Sequence, residues 1–542
     1  MRKAVQCAKA SWPPTAPLFV LPVSLMRALS VSGACAVFII LLMQACAPLS
    51  SRVALPVSHA FDHPLETSLG RQVQAYTALH PGESGFYILD TGQQALLQRA
   101  ALIEAAERSV DAQYYIWNSD VSGSYLARRL LLAADRGVRV RLLLDDINIG
   151  ERDTVLAVLA GHPNIDIRIY NPFAVRSGLG KWLGLINEFQ RLNRRMHNKG
   201  FVVDGALAVV GGRNIGDEYF DLHPQVNFRD RDVLAAGAVV RDVSLSFDAH
   251  WNSTSTYPIS QLAPEAVTAQ SVKVQLDQAR AAAADTRGFT QMPSQDAASA
   301  HEAVAHRLSA LTWAEAELIS DPPVENAHAD TDRPKRSARA LLKLVEQSKQ
   351  EILLETPYLI LGDEQLQLLG QTSARGVRVS ALTNSLASND LTTNHAGYAR
   401  RRSAMLAKGL ELHELQPDAA ACSIWIDAPD FCDKGAVSLH AKSAVFDRKT
   451  VYIGSFNVNL RSIYLNSETV LVIHSAELAQ RLAHDIEVGM MATNSWLVSR
   501  DAEGQLHWSA TTGPVWTHEP ATGFWRRFKA GLFKLLPVEK YL

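Results

Sequence analysis

The feature that most constrains the fold is that the chain is written twice. His197, Lys199 and Asp204 are followed by Gly211-Gly212-Arg213-Asn214, and the pattern returns as His440, Lys442 and Asp447 followed by Gly454-Ser455-Phe456-Asn457, every member 243 positions later. The flanking pattern repeats too. Residues 109–117 read as a strand, 123–135 as a helix and 136–145 as a strand opened by a glycine stop; 338–348, 351–360 and 375–383 read as helix, strand and strand, with Arg-Gly-Val-Arg-Val recurring 239 positions on. Strands alternating with helices predict an α/β fold of two tandem domains, each a mostly parallel sheet flanked by helices, with one active site at their interface. A single copy of such a motif arises by accident; two copies in register with duplicated strands do not.

With about 100–200 residues per domain, 542 residues hold the two halves and more. We assign 75–261 to the first domain, 262–330 to a linker of surface helices, 331–500 to the second domain and 501–542 to a tail. Residues 28–51 carry no charge, and the apolar run 28–43 ends just before Ala45-Cys46. This resembles a bacterial lipoprotein signal, which implies removal of 1–45 and lipidation of Cys46; the other reading is an uncleaved anchor, since the run approaches the roughly 20 residues that span a bilayer. Met26-Arg27 offers a second start for translation. Either reading places the chain at a membrane of the cell envelope, facing the periplasm. In the tail, Phe524, Phe528, Leu532 and Leu535 fall at helical spacing among Arg526, Arg527, Lys529 and Lys534, beside Trp525. That pattern is a basic amphipathic helix, lying either in a membrane interface or on its own domain.

Successive strand side chains alternate faces, so each His-x-Lys sends one imidazole and one ammonium to the same side, and the two halves bring two of each to one pocket. One imidazole acts as nucleophile and the other as acid. The lysines, with the Asn214 and Asn457 amides, stabilise charge on phosphoryl oxygens, so the chemistry calls for no metal or other cofactor. A carboxylate is expected behind each imidazole, with Asp230 (or Asp232) downstream of the first motif and Glu468 downstream of the second. Asp204 and Asp447 complete the motifs, but their place at the strand exit suits holding the fold. Tyr114, Tyr115 and Trp117 read as core. The stretch 384–390 reads equally as a substrate loop, and Arg191, Arg194 and Arg195 beside the apolar 181–189 as a solvated face or a headgroup entrance. Fifty-three basic against fifty-five acidic side chains leave a formal charge of −2, which argues against nucleic acid as partner. Five cysteines make no disulfide scaffold and no zinc site, though Cys422 and Cys432 stand close enough either to pair or to remain buried thiols.

The duplicated HxKxxxxD and GxxN elements resemble those of the phospholipase D superfamily. AQYYIW (112–117), RLNRRMHNK (191–199), VGGRNIGDEYF (210–220), LTNSLASND (382–390), HAGYAR (395–400), SLHAK (438–442), GSFNVNLRS (454–462) and EPATGFW (519–525) are similar to the C-type bacterial cardiolipin synthases within it. The resemblance runs from about His80 to the end. It implies a phosphatidyltransferase: His197 attacks a phospholipid, His440 protonates the leaving headgroup, and phosphatidylglycerol takes the phosphatidyl group from a phosphatidylethanolamine or phosphatidylglycerol donor to give cardiolipin. A hydrolytic phospholipase D is the alternative, with a nuclease and a non-catalytic lipid-binding lipoprotein behind it.

Overall fold

Both halves are built on a similar succession of strands. The first contributes β1 (Ser84–Leu89), β2 (Ser109–Tyr114), β3 (Arg139–Asp145), β4 (Ile165–Tyr170), β5 (Gly200–Val203), β6 (Leu207–Gly211), β7 (Val226–Arg229), β8 (Asp232–Gly237) and β9 (Thr256–Pro258). The second contributes β10 (Thr312–Ser320), β11 (Glu351–Glu355), β12 (Arg378–Asn384), β13 (Leu410–Leu415), β14 (Ala436–Leu439), β15 (Ser443–Phe446), β16 (Thr450–Gly454), β17 (Thr469–His474), β18 (Ser495–Arg500) and β19 (Leu506–Ser509). The computed structural model describes residues 53–149, 152–176, 188–263, 267–284, 297–324, 333–428, 430–511, 513–535 and 539–541. The signal-like segment, Cys46 and residues 181–187 lie outside the described residues. No helix among the described residues is long and apolar enough to cross a membrane.

Strand pairing runs β9-β4-β3-β2-β5-β6-β8-β1 in the first half and β10-β17-β16-β15-β11-β12-β13-β18-β19 in the second, joined by the antiparallel pair β1 and β10. The sheet is mixed, not mostly parallel. Only β2-β3-β4 and β11-β12-β13 are parallel, because helices such as Val121–Asp135 and Thr392–Ala407 carry the chain back between them, whereas a tight turn reverses it after each motif strand. Asp204 and Gly205, then Asp447 and Arg448, sit at φ of 53°, 59°, 50° and 51° in these turns, a left-handed region that aspartate tolerates better than most residues. The Asp204 carboxylate accepts the backbone N–H groups of Glu107, Arg108 and Ser109 at 2.9, 2.8 and 2.8 Å, and Asp447 those of Lys349, Gln350 and Glu351 at 2.9, 2.8 and 3.0 Å. Each acid thereby fastens its motif hairpin to the start of the neighbouring strand.

The segment 262–330 departs from expectation. It does carry the helices Ala269–Ala284 and Ala297–Leu308, but it also contains β10, the strand that joins the two halves into one sheet. One apolar core is shared: Phe86, Val202, Val210 and Val240 of the first half pack with Val445, Ile453, Leu482 and Ile486 of the second. At roughly 1.5–3 kcal/mol for each such buried side chain, this core favours a fixed relation between the halves over independent movement. That rigidity places the site.

Candidate active site

The two motifs meet through exchanged strands. The segment before β5 bonds to the second half, with His197 N–H donating to the Ser467 carbonyl and Ser467 N–H to that of Arg195. Symmetrically, β14 pairs in parallel with β7, and the N–H groups of His440 and Ala441 both donate to the Arg229 carbonyl. Each histidine therefore lies against the carboxylate of the opposite half. His197 Nδ1 is 2.7 Å from Glu468, and His440 Nδ1 is 2.5 Å from Asp230. Sequence reasoning found both acids but expected each to serve the motif upstream of it; the exchange depends on strand pairing that only the three-dimensional arrangement supplies. Asp232, the other candidate, reaches neither imidazole and pairs with Arg99 at 2.9 Å.

The two carboxylates differ in their surroundings. Glu468 also accepts from the Ser455 hydroxyl at 2.5 Å and from Ser462 at 2.7 Å, and although burial alone would raise its pKa, His197, Lys199 and Ser455 hold it below the usual range. Asp230 has Gly212 where the other half has Ser455. A methyl group there would come within 2.1 Å of the Asp230 carboxylate, so the second glycine of the first motif admits the acid. Burial pushes Asp230 up despite Lys442 and Arg213.

With Nδ1 of each ring turned to a carboxylate, Nε2 is the ring nitrogen that makes no carboxylate contact. Lys199 Nζ donates to the His197 carbonyl at 2.8 Å; Lys442 Nζ donates to the His440 carbonyl and lies 2.7 Å from His440 Nδ1. Burial lowers the pKa of His197 to about 4, against the pull of Glu468, and burial with Lys442 and Lys199 beside it lowers His440 well below its ordinary value. Burial likewise brings Lys199 to about 7 and Lys442 to about 8. Burial thus works against positive charge on all four groups, and an incoming anion would offset that cost. A phosphodiester carries that charge.

The other sequence candidates separate. Asn457 is buried with its Oδ1 unpartnered, whereas Asn214 is engaged: its Nδ2 donates to the Tyr219 hydroxyl at 3.0 Å and its Oδ1 accepts from Ile116 N–H at 3.1 Å. Asp204 and Asp447 stay with backbone amides on the far side of the motif strands. Tyr114 and Trp117 are core, but Tyr115 is not; its ring meets that of His197 edge-on at 4.9 Å. Strand alternation, which sends Tyr115 to the face opposite Tyr114, was the available signal. Tyr219 and Phe228 pack on His440, each at 5.1 Å, and sequence reasoning missed both. In the 384–390 stretch, Asn384 exchanges two 2.8 Å hydrogen bonds with the Leu439 backbone and so braces His440, while Asp390 accepts from the Tyr358 hydroxyl at 2.8 and 2.9 Å. Arg195 is neither solvated nor an entrance residue but a buried partner of Asp145 at 2.5 Å. Cys422 and Cys432 form a disulfide with a Cα separation of 5.8 Å, closing the loop ahead of β14.

The family pattern described as cardiolipin synthase, PLD-like domain, matches residues 100–251 and again 341–488. The chain is 38% identical over 465 residues to cardiolipin synthase C of Escherichia coli (strain K12), covering 85% of this chain and 96% of that one. It is 24% identical over 421 residues to the major cardiolipin synthase of Bacillus subtilis (strain 168), covering 76% and 69%. In fold it is similar to the crystal structure of phosphatidylserine synthase from Haemophilus influenzae Rd KW20, with a TM-score of 0.54 at 13% identity over 87% of this chain and all of that one. Two matched domains, facing histidine–lysine pairs and 38% identity over most of both chains to an Escherichia coli relative lead to one assignment: the chain belongs to the cardiolipin synthase family of PLD-like domain proteins and is a phosphatidyltransferase of the phospholipase D type.

Proposed function

We propose that this enzyme makes cardiolipin by moving a phosphatidyl group from phosphatidylethanolamine or phosphatidylglycerol to phosphatidylglycerol through a phosphohistidine. The observation that carries the mechanism is the exchanged pair of imidazole–carboxylate contacts, at 2.7 and 2.5 Å, flanked by two lysines. Glu468, held anionic, accepts the Nδ1 proton of His197 and leaves the Nε2 lone pair to attack phosphorus. The bond from phosphorus to the headgroup oxygen breaks, and His440 gives that oxygen its proton. The acceptor hydroxyl then returns a proton to His440 and attacks the same phosphorus. The phosphorus–nitrogen bond breaks and neutral His197 is restored. Lys199, Lys442 and the Asn457 amide meet the charge on the phosphoryl oxygens. Cys46 acylation, or an uncleaved helix, would hold the enzyme at its substrates. Incubation with labelled phosphatidylglycerol, with and without phosphatidylethanolamine, followed by lipid separation, tests this: labelled cardiolipin is expected, and phosphatidic acid alone would make the enzyme a hydrolase.

A further inference from the structure

The tail helix Phe524–Phe533 has two dissimilar faces. Arg526 and Ala530 turn inward: Ala530 is buried, and Arg526 donates to the Asn389 carbonyl. The rest of the tail is fastened as well. Glu519 meets Arg402 at 2.7 Å, Glu539 meets Arg401 at 2.8 Å, and the Tyr541 ring packs on Phe189 at 4.8 Å. The helix is thus docked on its domain, yet Phe524, Trp525, Phe528, Leu532 and Leu535 stand 53–77% exposed along its outer side. A helix that needed only to be buried would not turn its aromatic rings to water.

Charge narrows what covers this face. The helix has no acidic residue, Lys529 and Lys534 are exposed, and neither makes an ion pair among the described residues. A protein partner would have to supply both an apolar groove and acidic rims. An anionic bilayer supplies both at once, with acyl chains for the rings and phosphates for the ammonium groups. The inner face adds a consequence. Arg526 holds Asn389, the next residue Asp390 takes the Tyr358 hydroxyl, and Asn384 of the same stretch braces Leu439 beside His440. The surface that would meet the membrane is thereby connected, through the 384–390 stretch, to Leu439, the residue before His440.

We propose that the outer face of Phe524–Phe533 is the docking surface for an anionic bilayer, and that Arg526 ties it to the loop at the catalytic cleft, so that docking sets the cleft against the lipid. The choice of occupant rests on the lipid-substrate reading above. The test uses the full chain with phosphatidylcholine vesicles, either pure or in equal parts with phosphatidylglycerol. Backbone hydrogen exchange across residues 524–535 is expected to slow on the mixed vesicles and not on the pure ones, whether or not lipid turns over. Trp525→Ser combined with Phe528→Ser should abolish that protection and lower turnover of vesicle phosphatidylglycerol about tenfold or more, while cleavage of a soluble aryl phosphodiester stays within about twofold. Arg526→Ala should keep the protection yet lower vesicle turnover. Unchanged exchange on mixed vesicles, or an equal fall with both substrates in the double variant, would each overturn the proposal. Protection by mixed vesicles in a wild-type chain that forms neither cardiolipin nor phosphatidic acid would leave the docking surface standing and break the functional reading alone.

Discussion

Replacing Asp230 by asparagine should damage the histidine of the opposite domain, and the kind of damage identifies that histidine's task. The substitution keeps the side chain's size where Gly212 allows little else, so the fold should hold. It removes the anion 2.5 Å from His440 Nδ1. A hydrogen bond to a charged group contributes about 1.5–3 kcal/mol, or roughly one to two decades in rate, and loss of the correct tautomer has cost about 10⁴-fold where a histidine depends on a carboxylate. We expect phospholipid turnover to fall by about 10²–10⁴-fold. If His440 is the acid, a substrate with an aryl leaving group, which departs without a proton, escapes the first-step defect: the pre-steady-state burst of released phenol should persist, followed by slow turnover. Glu468→Gln acts on the nucleophile, so there the burst itself should slow. A burst abolished in Asp230→Asn and preserved in Glu468→Gln would refute the account: with the exchanged contacts as they stand, it would make His440 the nucleophile.

Lys199→Ala and Lys442→Ala should each lower turnover by about 10²–10³-fold in a folded protein, the size expected for losing one donor to developing charge; circular dichroism with kinetics decides it, and near-wild-type activity would remove the lysine from the mechanism. Asp204→Asn should behave oppositely, costing about 2–4 kcal/mol of stability in denaturant titration as three backbone amides lose their anion, with folded protein active within a few-fold. Lost turnover at unchanged stability would place Asp204 in the reaction instead. The pH profile follows from the protonated groups of the free enzyme: the cationic lysines bind phosphate and are lost as pH rises, so with Lys199 at about 7, Lys442 at about 8 and the acid His440 lower still, kcat/KM should already be falling by pH 7–8, far below an ordinary lysine near 10.4. The bound anion restores the lysines, so the decline in kcat should come at higher pH. A kcat/KM flat from neutrality to well above pH 8 would contradict the account.

Much of this site was legible in the sequence because duplication turns a weak motif into a strong one. The two histidines, two lysines and both orienting carboxylates were all readable as residues. Their partnership was not, since Glu468 serves His197 only through pairing between segments 271 positions apart. Local rules also fail to give β10, whose alternation lies among alanine-rich helices and whose neighbours β1 and β17 are remote in sequence. Tyr115 shows the opposite kind of miss: the strand was recognised, but an aromatic residue at its end reads as core until its face is known. Asn214 and Asn457, identical in pattern, part company because Tyr219 engages the first, while the second is buried with its Oδ1 unpartnered.

The account's central claim is a covalent transfer in which the first-half histidine attacks. Rapid quenching in denaturant at mildly alkaline pH after incubation with lipid substrate, followed by proteolysis under conditions that preserve phosphoramidates and by mass spectrometry, tests it directly. The account predicts a phosphatidyl adduct on the peptide containing His197, accumulating in His440→Ala when the substrate carries an aryl leaving group that departs without a proton, and absent in His197→Ala. An adduct on His440 alone, or lipid transfer by an enzyme lacking His197, would contradict it.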